Sequence, residues 1–236
     1  MIFVCGDTHY RIDISKLGSK RWPEGKKLTK NDYLIVCGDF GLIWYPEKTK
    51  KEESLISWYN EKPWTTLFID GNHENFDRLL SDEFPEIEMF NSKVKQISNS
   101  IFYLQRGCVY TIEDKTFFTF GGGESIDKLQ RTEGISWWKE ELPTWKDNVI
   151  GISILEQFDN CVDYIITHSC SNEMFEEISK HYDFGYKRNT EKSLRDFFSW
   201  VEENVQFKHW FFGHFHDDIM FEKHSMLYEN KPISII

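Results

Sequence analysis

Short runs of apolar residues end repeatedly on Gly, Asp, Asn or His. Residues 1–5 (MIFVC) lead into Gly6-Asp7, 33–37 (YLIVC) into Gly38-Asp39, and 65–69 (TTLFI) into Asp70-Gly71-Asn72-His73. Residues 164–167 (YIIT) stop at His168, and 209–212 (HWFF) stop at Gly213-His214. Near-continuous apolar runs of this length, rich in Ile, Val and Phe, predict strands buried on both faces. Between them, apolar residues recur at helical spacing. Residues 50–61 follow Thr49 and carry Leu55, Ile56 and Tyr59; residues 172–180 carry Met174, Phe175 and Ile178. Residues 190–205 open on a cap at Thr190 and set Leu194, Phe197, Phe198 and Val201 on one face. Residues 101–104, 108–112 and 116–120, separated by turn-like breaks, predict a β-meander or hairpin. Alternating strands and helices predict an α/β fold. No composition shift, repeat or low-complexity tract divides the chain. One domain over 1–236 is expected, with the irregular stretch 121–149 as an insertion near the site.

The residues that close the strands form a chemical set: Asp7 and His9, Asp39, Asn72 and His73, His168, His214 and His216. Five of the 8 histidines fall in it. In open α/β sheets ligands gather at the carboxyl ends of strands. Imidazole, carboxylate and amide oxygen together suit Mn, Fe or Zn rather than a thiolate-seeking ion. A carboxylate can bridge two ions about 3.5–4 Å apart, the spacing of a two-metal centre that clamps an in-line displacement, and an ion-bound water there has a pKa of about 7. His214 and His216, alternate residues of an extended segment, point to the same side. Taken singly, Asp7, Asp39 and Asn72 are ordinary turn residues; the histidines make the metal reading.

In order, the chain carries Gly6-Asp7-Thr8-His9, Gly38-Asp39, Gly71-Asn72-His73-Glu74, Thr167-His168 and Gly213-His214-Phe215-His216, each behind an apolar run. This order resembles the calcineurin-like metallophosphoesterase family over nearly the whole chain. The resemblance implies a four-layer αββα sandwich, two mixed β-sheets flanked by helices, with the site at one end. It implies one ion on Asp7, His9 and His216, a second on Asn72, His168 and His214, and Asp39 bridging both. His73 would be no ligand but a catalytic residue beside the substrate phosphate, stabilising charge or protonating the leaving group. The implied cofactors are two divalent ions, Mn first, with Fe, Ni, Co or Zn also suited. The implied reaction is hydrolysis of a small phosphate ester by metal-bound hydroxide, a phosphodiester ahead of other esters. The alternatives are a phosphomonoesterase or nuclease with the same site, or a non-catalytic metal-binding scaffold of the same fold.

The chain departs from the family pattern in places. Many members carry an acid three residues after the bridging Asp that orients the histidine of the Gly-Asn-His motif; here that residue is Leu42, which leaves Glu74 or Asp70 for the task. The protein Ser/Thr phosphatases add an Arg next, where this chain has Ile43, so a protein phosphatase is not expected. Ser169-Cys170-Ser171 follows His168 without the usual proline. Gly121-Gly122-Gly123 reads either as a turn or as backbone brought close to the centre. Arg131 and Arg188 are candidates for phosphate binding, and Trp137 and Trp138 for stacking on a planar group. The plainer reading of these four is surface charge and packing anchors. The run 48–53 reads as an exposed, ion-paired helix face, and His181 and His224 as surface residues.

Composition narrows the partners. A net charge of −11 argues against broad binding to a nucleic-acid backbone, though not against a small phosphorylated substrate. Five cysteines without a CxxC pair, with Cys5 and Cys37 closing apolar runs, read as buried free thiols of a reducing, cytoplasmic protein. The first residues read as a strand rather than a signal peptide, and no apolar stretch is long enough to span a membrane.

Overall fold

The computed structural model describes residues 1–181 and 191–235. The chain runs β1 (Ile2–Cys5), β2 (Tyr33–Val36), α1 (Lys50–Asn60), β3 (Thr65–Phe68), the single turn α2 (Phe76–Leu79), β4 (Glu86–Met89), β5 (Ser92–Ser98), β6 (Ile101–Leu104), β7 (Cys108–Ile112) and β8 (Lys115–Phe120). It continues through α3 (Trp145–Gln157), β9 (Tyr164–Thr167), α4 (Asn172–Ser179), α5 (Lys192–Asn204), β10 (His209–Phe212), β11 (Ile219–Met220), β12 (His224–Met226) and β13 (Ile233–Ser234).

Two mixed sheets share one plan. The first has the order β13-β1-β2-β3-β6-β5-β4, with β1, β2, β3 and β6 parallel, β13 and β5 antiparallel to them, and β4 antiparallel to β5. The second has the order β11-β12-β10-β9-β8-β7, with β12, β10, β9 and β8 parallel between antiparallel edges.

Alternation along the strands deals the apolar runs to two faces. Ile2, Val4, Ile35 and Leu67 of the first sheet meet Phe117, Ile166 and Phe211 of the second. Phe3, Leu34, Val36 and Phe68 face the other way, onto Leu55 and Tyr59 of α1. Phe118, Phe120, Ile165, Trp210 and Phe212 cover themselves with Leu155 of α3, Phe175 and Ile178 of α4, and Leu194, Phe198 and Val201 of α5. The layers are therefore α, β, β, α, and the runs are continuously apolar because both faces are covered. Cys5 and Cys37 are buried free thiols within this packing.

Several elements depart from the sequence reading, each for a local reason. The hairpin of β4 and β5 lies at a sheet edge and alternates charged with apolar residues, so it makes no apolar run. The stretch 121–149 is irregular only to about its end, where Thr144 and Asp147 form a reciprocal cap that opens α3. Glu52 is not part of an exposed helix face: it is buried and takes a two-pronged bond from Arg78 (2.8 and 2.9 Å). His224 is not a surface residue but lies buried in β12, with Nε2 2.9 Å from Glu202. Thr190, read as a helix cap, lies outside the described residues.

A buried ion pair ties the sheets together beneath their strand ends. Asp70, fully buried behind β3, accepts from the Tyr103 hydroxyl (2.8 Å) and Arg106 Nε (2.9 Å), and its carbonyl accepts from the Gly122 N–H (3.1 Å). Arg106 also donates to the Glu140 carbonyl (2.8 Å). Replacing Arg106 with Ala strands a buried carboxylate, so stability should fall by about 3–5 kcal/mol. Urea unfolding followed by fluorescence would show it as a lowered midpoint, and the double change Asp70→Asn with Arg106→Ala should recover part of the loss.

Candidate metal centre

Every residue of the strand-end set lies at one end of the two sheets. Asp7 and His9 follow β1, Asp39 follows β2, Asn72 and His73 follow β3, His168 follows β9, and His214 and His216 follow β10. The chain turns abruptly after these strands. His9 (φ 42°), Asp39 (φ 47°), His214 (φ 71°) and His216 (φ 55°) all hold the left-handed conformation, which costs a non-glycine residue about 1–3 kcal/mol. Backbone also approaches the centre closely. A Cβ on Gly71 would sit 2.1 Å from Asp39 Oδ1, and one on Gly123 would sit 2.9 Å from His168 Cδ2 and 3.3 Å from Asn72 Oδ1. Of the two readings of the triple glycine, close approach is the one seen.

Asp39 is the middle of the cluster, and its two oxygens face different groups. Oδ2 lies 3.0 Å from His9 Nε2, on the side where donor atoms of Asp7, His9, Asp39 and His216 all fall within 4.8 Å of one another. Oδ1 lies 3.3 Å from His168 Nε2, which is 3.4 Å from Asn72 Oδ1, and the His168 and His214 rings are centred 4.8 Å apart.

The remaining polar atoms of these side chains are tied elsewhere. His9 Nδ1 is 2.7 Å from Asp13 Oδ2, His168 Nδ1 donates to the Cys37 carbonyl (2.8 Å), and His214 Nε2 is 2.6 Å from Glu191 Oε1. Asn72 Nδ2 donates to Ser125 Oγ (3.3 Å), which turns its oxygen inward. The His214 N–H is donated to Asp7 (3.2 Å to Oδ1) and the His73 N–H to Asp39 Oδ1 (2.8 Å). The His216 ring stacks on Tyr228, 4.6 Å between centroids and 10° between planes. Glu74 accepts from the N–H groups of Phe40 (2.8 Å) and Gly41 (3.1 Å), pinning the turn that carries Asp39.

Burial and charge oppose each other here. Burial disfavours the imidazolium of His9 and His168, yet the hydrogen bonds and negative charge of Asp39, aided by Asp7, push His9 up to about 9 and His168 up to about 10. Burial would raise the Asp39 carboxyl, but His168 and His73 hold it well below its ordinary range. Glu191, also buried, is drawn down to about 2 by His214. Burial lowers His73 and His216, against the pull of the nearby carboxylates. Burial raises Glu74 well above the usual carboxyl range.

This donor set fits divalent ions. Asp7 and Asp39 are fully or almost fully buried, and among the described residues their ion-pair partners are imidazoles; the buried Lys16 ammonium donates to the Asp7 main-chain carbonyl rather than to either carboxylate. Buried carboxylates call for compensating charge. Oxygen and imidazole donors converge with their other atoms already engaged, the outer arrangement that orients metal-ligating histidines. Asp13, Ser125 and Glu191, which complete it, carry no motif in the sequence.

The other candidates divide. A cavity of about 220 Å³ opens over the centre, lined by Asp39, Asn72, His73, Glu124, Ile126, Asp127, Arg131, His214 and His216. Arg131 is thus at the cavity, though held by Asp127 (2.7 Å) and the Ser136 carbonyl (3.0 Å). Trp137 is half-buried, and the Lys128 ammonium lies 6.0 Å from the centre of its ring. Trp138 is not available for stacking on a ligand: it is buried, with its indole N–H donated to Asp77 (2.9 Å). Arg188 lies outside the described residues. Neither Glu74 nor Asp70 orients the His73 ring, as their bonds go elsewhere. The ring stacks on Trp44, 5.7 Å between centroids at 24°, and meets His9 edge-on at 4.9 Å. Leu42 points into the core.

A family model described as calcineurin-like phosphoesterase matches residues 1–218. No curated protein matches the chain.

The outer carboxylates give a direct test. Asp13→Ala and Glu191→Gln should each weaken divalent-ion binding about 10–100-fold while leaving the fold intact. Calorimetric titration of chelator-stripped protein with Mn²⁺ or Zn²⁺ measures it; unchanged affinity in both variants would mean that these groups do not orient His9 and His214 for an ion.

Proposed function

The chain belongs to the calcineurin-like phosphoesterase family, whose members are metal-dependent phosphoric ester hydrolases, and on that premise we propose that it hydrolyses small phosphodiesters at a two-ion centre. Asp7, His9 and His216 would hold one ion, Asn72, His168 and His214 the other, and Asp39 both. The observation that carries this reading is Asp39 itself, whose two oxygens face two separate donor groups. Manganese is the first choice of ion, and the oxygen and imidazole donors also suit iron, nickel, cobalt or zinc. Bound there, such ions polarise phosphoryl oxygens and make water a nucleophile at neutral pH.

The chain's own groups do the rest. Glu74 and the His73 amide fix the turn and carboxylate of Asp39, and Asp13, Ser125 and Glu191 fix the outer atoms of the ligands. His73 stands at the cavity wall, where its ring N–H can be donated to the departing ester oxygen. Charge at the rim favours a diester. Arg131 is engaged by Asp127, and Glu124 by Lys128. Little free positive charge is therefore left among the described lining residues for the second charge of a monoester dianion. The cavity's size suits a small substrate, with residues 1–236 acting as one domain. No described helix is long and apolar enough to cross a membrane; the free cysteines support a reducing, cytoplasmic setting.

Stripped with chelator and resupplied with Mn²⁺, Ni²⁺, Fe²⁺ or Zn²⁺, the protein should hydrolyse bis-p-nitrophenyl phosphate faster than p-nitrophenyl phosphate. Asp39→Asn should abolish turnover, and His73→Ala should lower kcat by about 10²–10⁴-fold with ion stoichiometry unchanged. Faster cleavage of the monoester would replace the diester reading. Full ion loading without turnover on either ester would count against catalysis altogether.

A further inference from the structure

A second recess adjoins the centre on the far side of His73. It measures about 290 Å³ and is lined by His9, Tyr10, Ile12, Gly41, Trp44, Tyr45 and His73. It shares His9 and His73 with the centre, so a group seated in it is one side chain away from a phosphate held there. Its other walls are aromatic and aliphatic, and among the described residues no lysine, arginine or carboxylate lines it. Ile12, at its edge, is 80% exposed and presents its aliphatic side chain at the mouth of the recess.

The walls are held in place. Trp44 stacks on His73 and meets Trp138 edge-on (5.7 Å, 78°), and its carbonyl accepts from Asn75 Nδ2 (3.1 Å). The Tyr45 carbonyl accepts from Arg78 Nη1 (3.0 Å), and the Tyr10 and Tyr45 rings meet edge-on at 6.4 Å. An apolar, preformed recess of this size takes one ring system; drug-sized pockets start at about 300 Å³. With no lysine or arginine among its described lining residues, the recess offers little to hold a second phosphate or a polynucleotide backbone.

We propose that this recess is the subsite for a planar, uncharged aromatic substituent on the ester oxygen, so that the substrate is an aromatic or nucleobase-bearing phosphodiester. Trp44, Tyr45 and Ile12 then set specificity, in place of Trp137 and Trp138. This rests on the phosphoesterase reading above.

The test compares phenylphosphonate with methylphosphonate as ligands of the full, Mn²⁺-loaded chain. The two share a head group and differ in the ring. Phenylphosphonate should bind about tenfold more tightly, the order of one aromatic stacking contact. In Ile12→Asp and Tyr45→Ala the preference should fall to about threefold or less, with methylphosphonate as the internal reference for the head-group site. An equal affinity for both ligands, or a preference untouched by both variants, overturns the subsite while metal-dependent hydrolysis persists. Loss of hydrolysis and of binding for both phosphonates in the unaltered protein overturns the phosphoesterase reading, and the subsite with it.

Discussion

Two carboxylates, Asp7 and Asp39, are buried side by side with imidazoles as their ionic partners among the described residues. In so little solvent, neither can stay ionised without nearby positive charge or several hydrogen bonds. The structure supplies both in part. The His73 and His214 amides bond the carboxylates directly, and His9 and His168 are made more basic by them. Divalent ions would supply the rest. The positions of the histidines, the glycines at the strand ends and the left-handed turns all follow from packing this pair of acids against imidazoles.

That packing is costly locally, and the fold offsets the cost at a distance. Four of the seven candidate ligands sit in a backbone conformation that side chains disfavour. They are held there because the parallel strands that feed them are buried on both faces and cannot shift. Asp70 and Arg106 lock β3 to the 121–144 segment, and Glu74 grips the amides next to Asp39. These interior polar groups hold the geometry without taking part in it. Their worth lies in specifying one arrangement of the strand ends rather than in net stability, because a buried ion pair often gains little over apolar packing.

Much of this was legible in the chain itself. A strand buried on both faces prints as an apolar run, and the residue that ends it prints as a break, so the ligands stood out as polar residues at five such breaks. The groups behind the ligands did not. Glu191 reaches His214 across 23 residues of sequence, Ser125 reaches Asn72 across 53, and the Trp44 ring reaches His73 from another loop. Such partners depend on how loops approach in space, for which local pattern carries no signal. Exposure was equally hidden. Trp138 reads equally as a stacking platform or a packing anchor beside Trp137 until burial, and Asp77 of another element taking its indole N–H, decide for the anchor. Glu52 looks like one more charge on an exposed, ion-paired helix face until Arg78 claims it.

The two sides of His73 differ in a way that bears on substrate choice. Toward the cavity stand Glu124 and Asp127 with their paired cations, close to neutral in sum. Toward the recess stand Trp44, Tyr45 and Ile12, apolar and uncharged. A substrate placed across His73 therefore meets strong positive field only at the centre itself, under a two-ion reading. Phosphate charge would then be concentrated on the ions while the organic part moves away from them. The same division lets an acidic chain, with a net charge of −11, act on an anion: the ions would offset the carboxylates that hold them, and screening over about 10 Å at ordinary salt keeps most of the more distant charge from reaching the site.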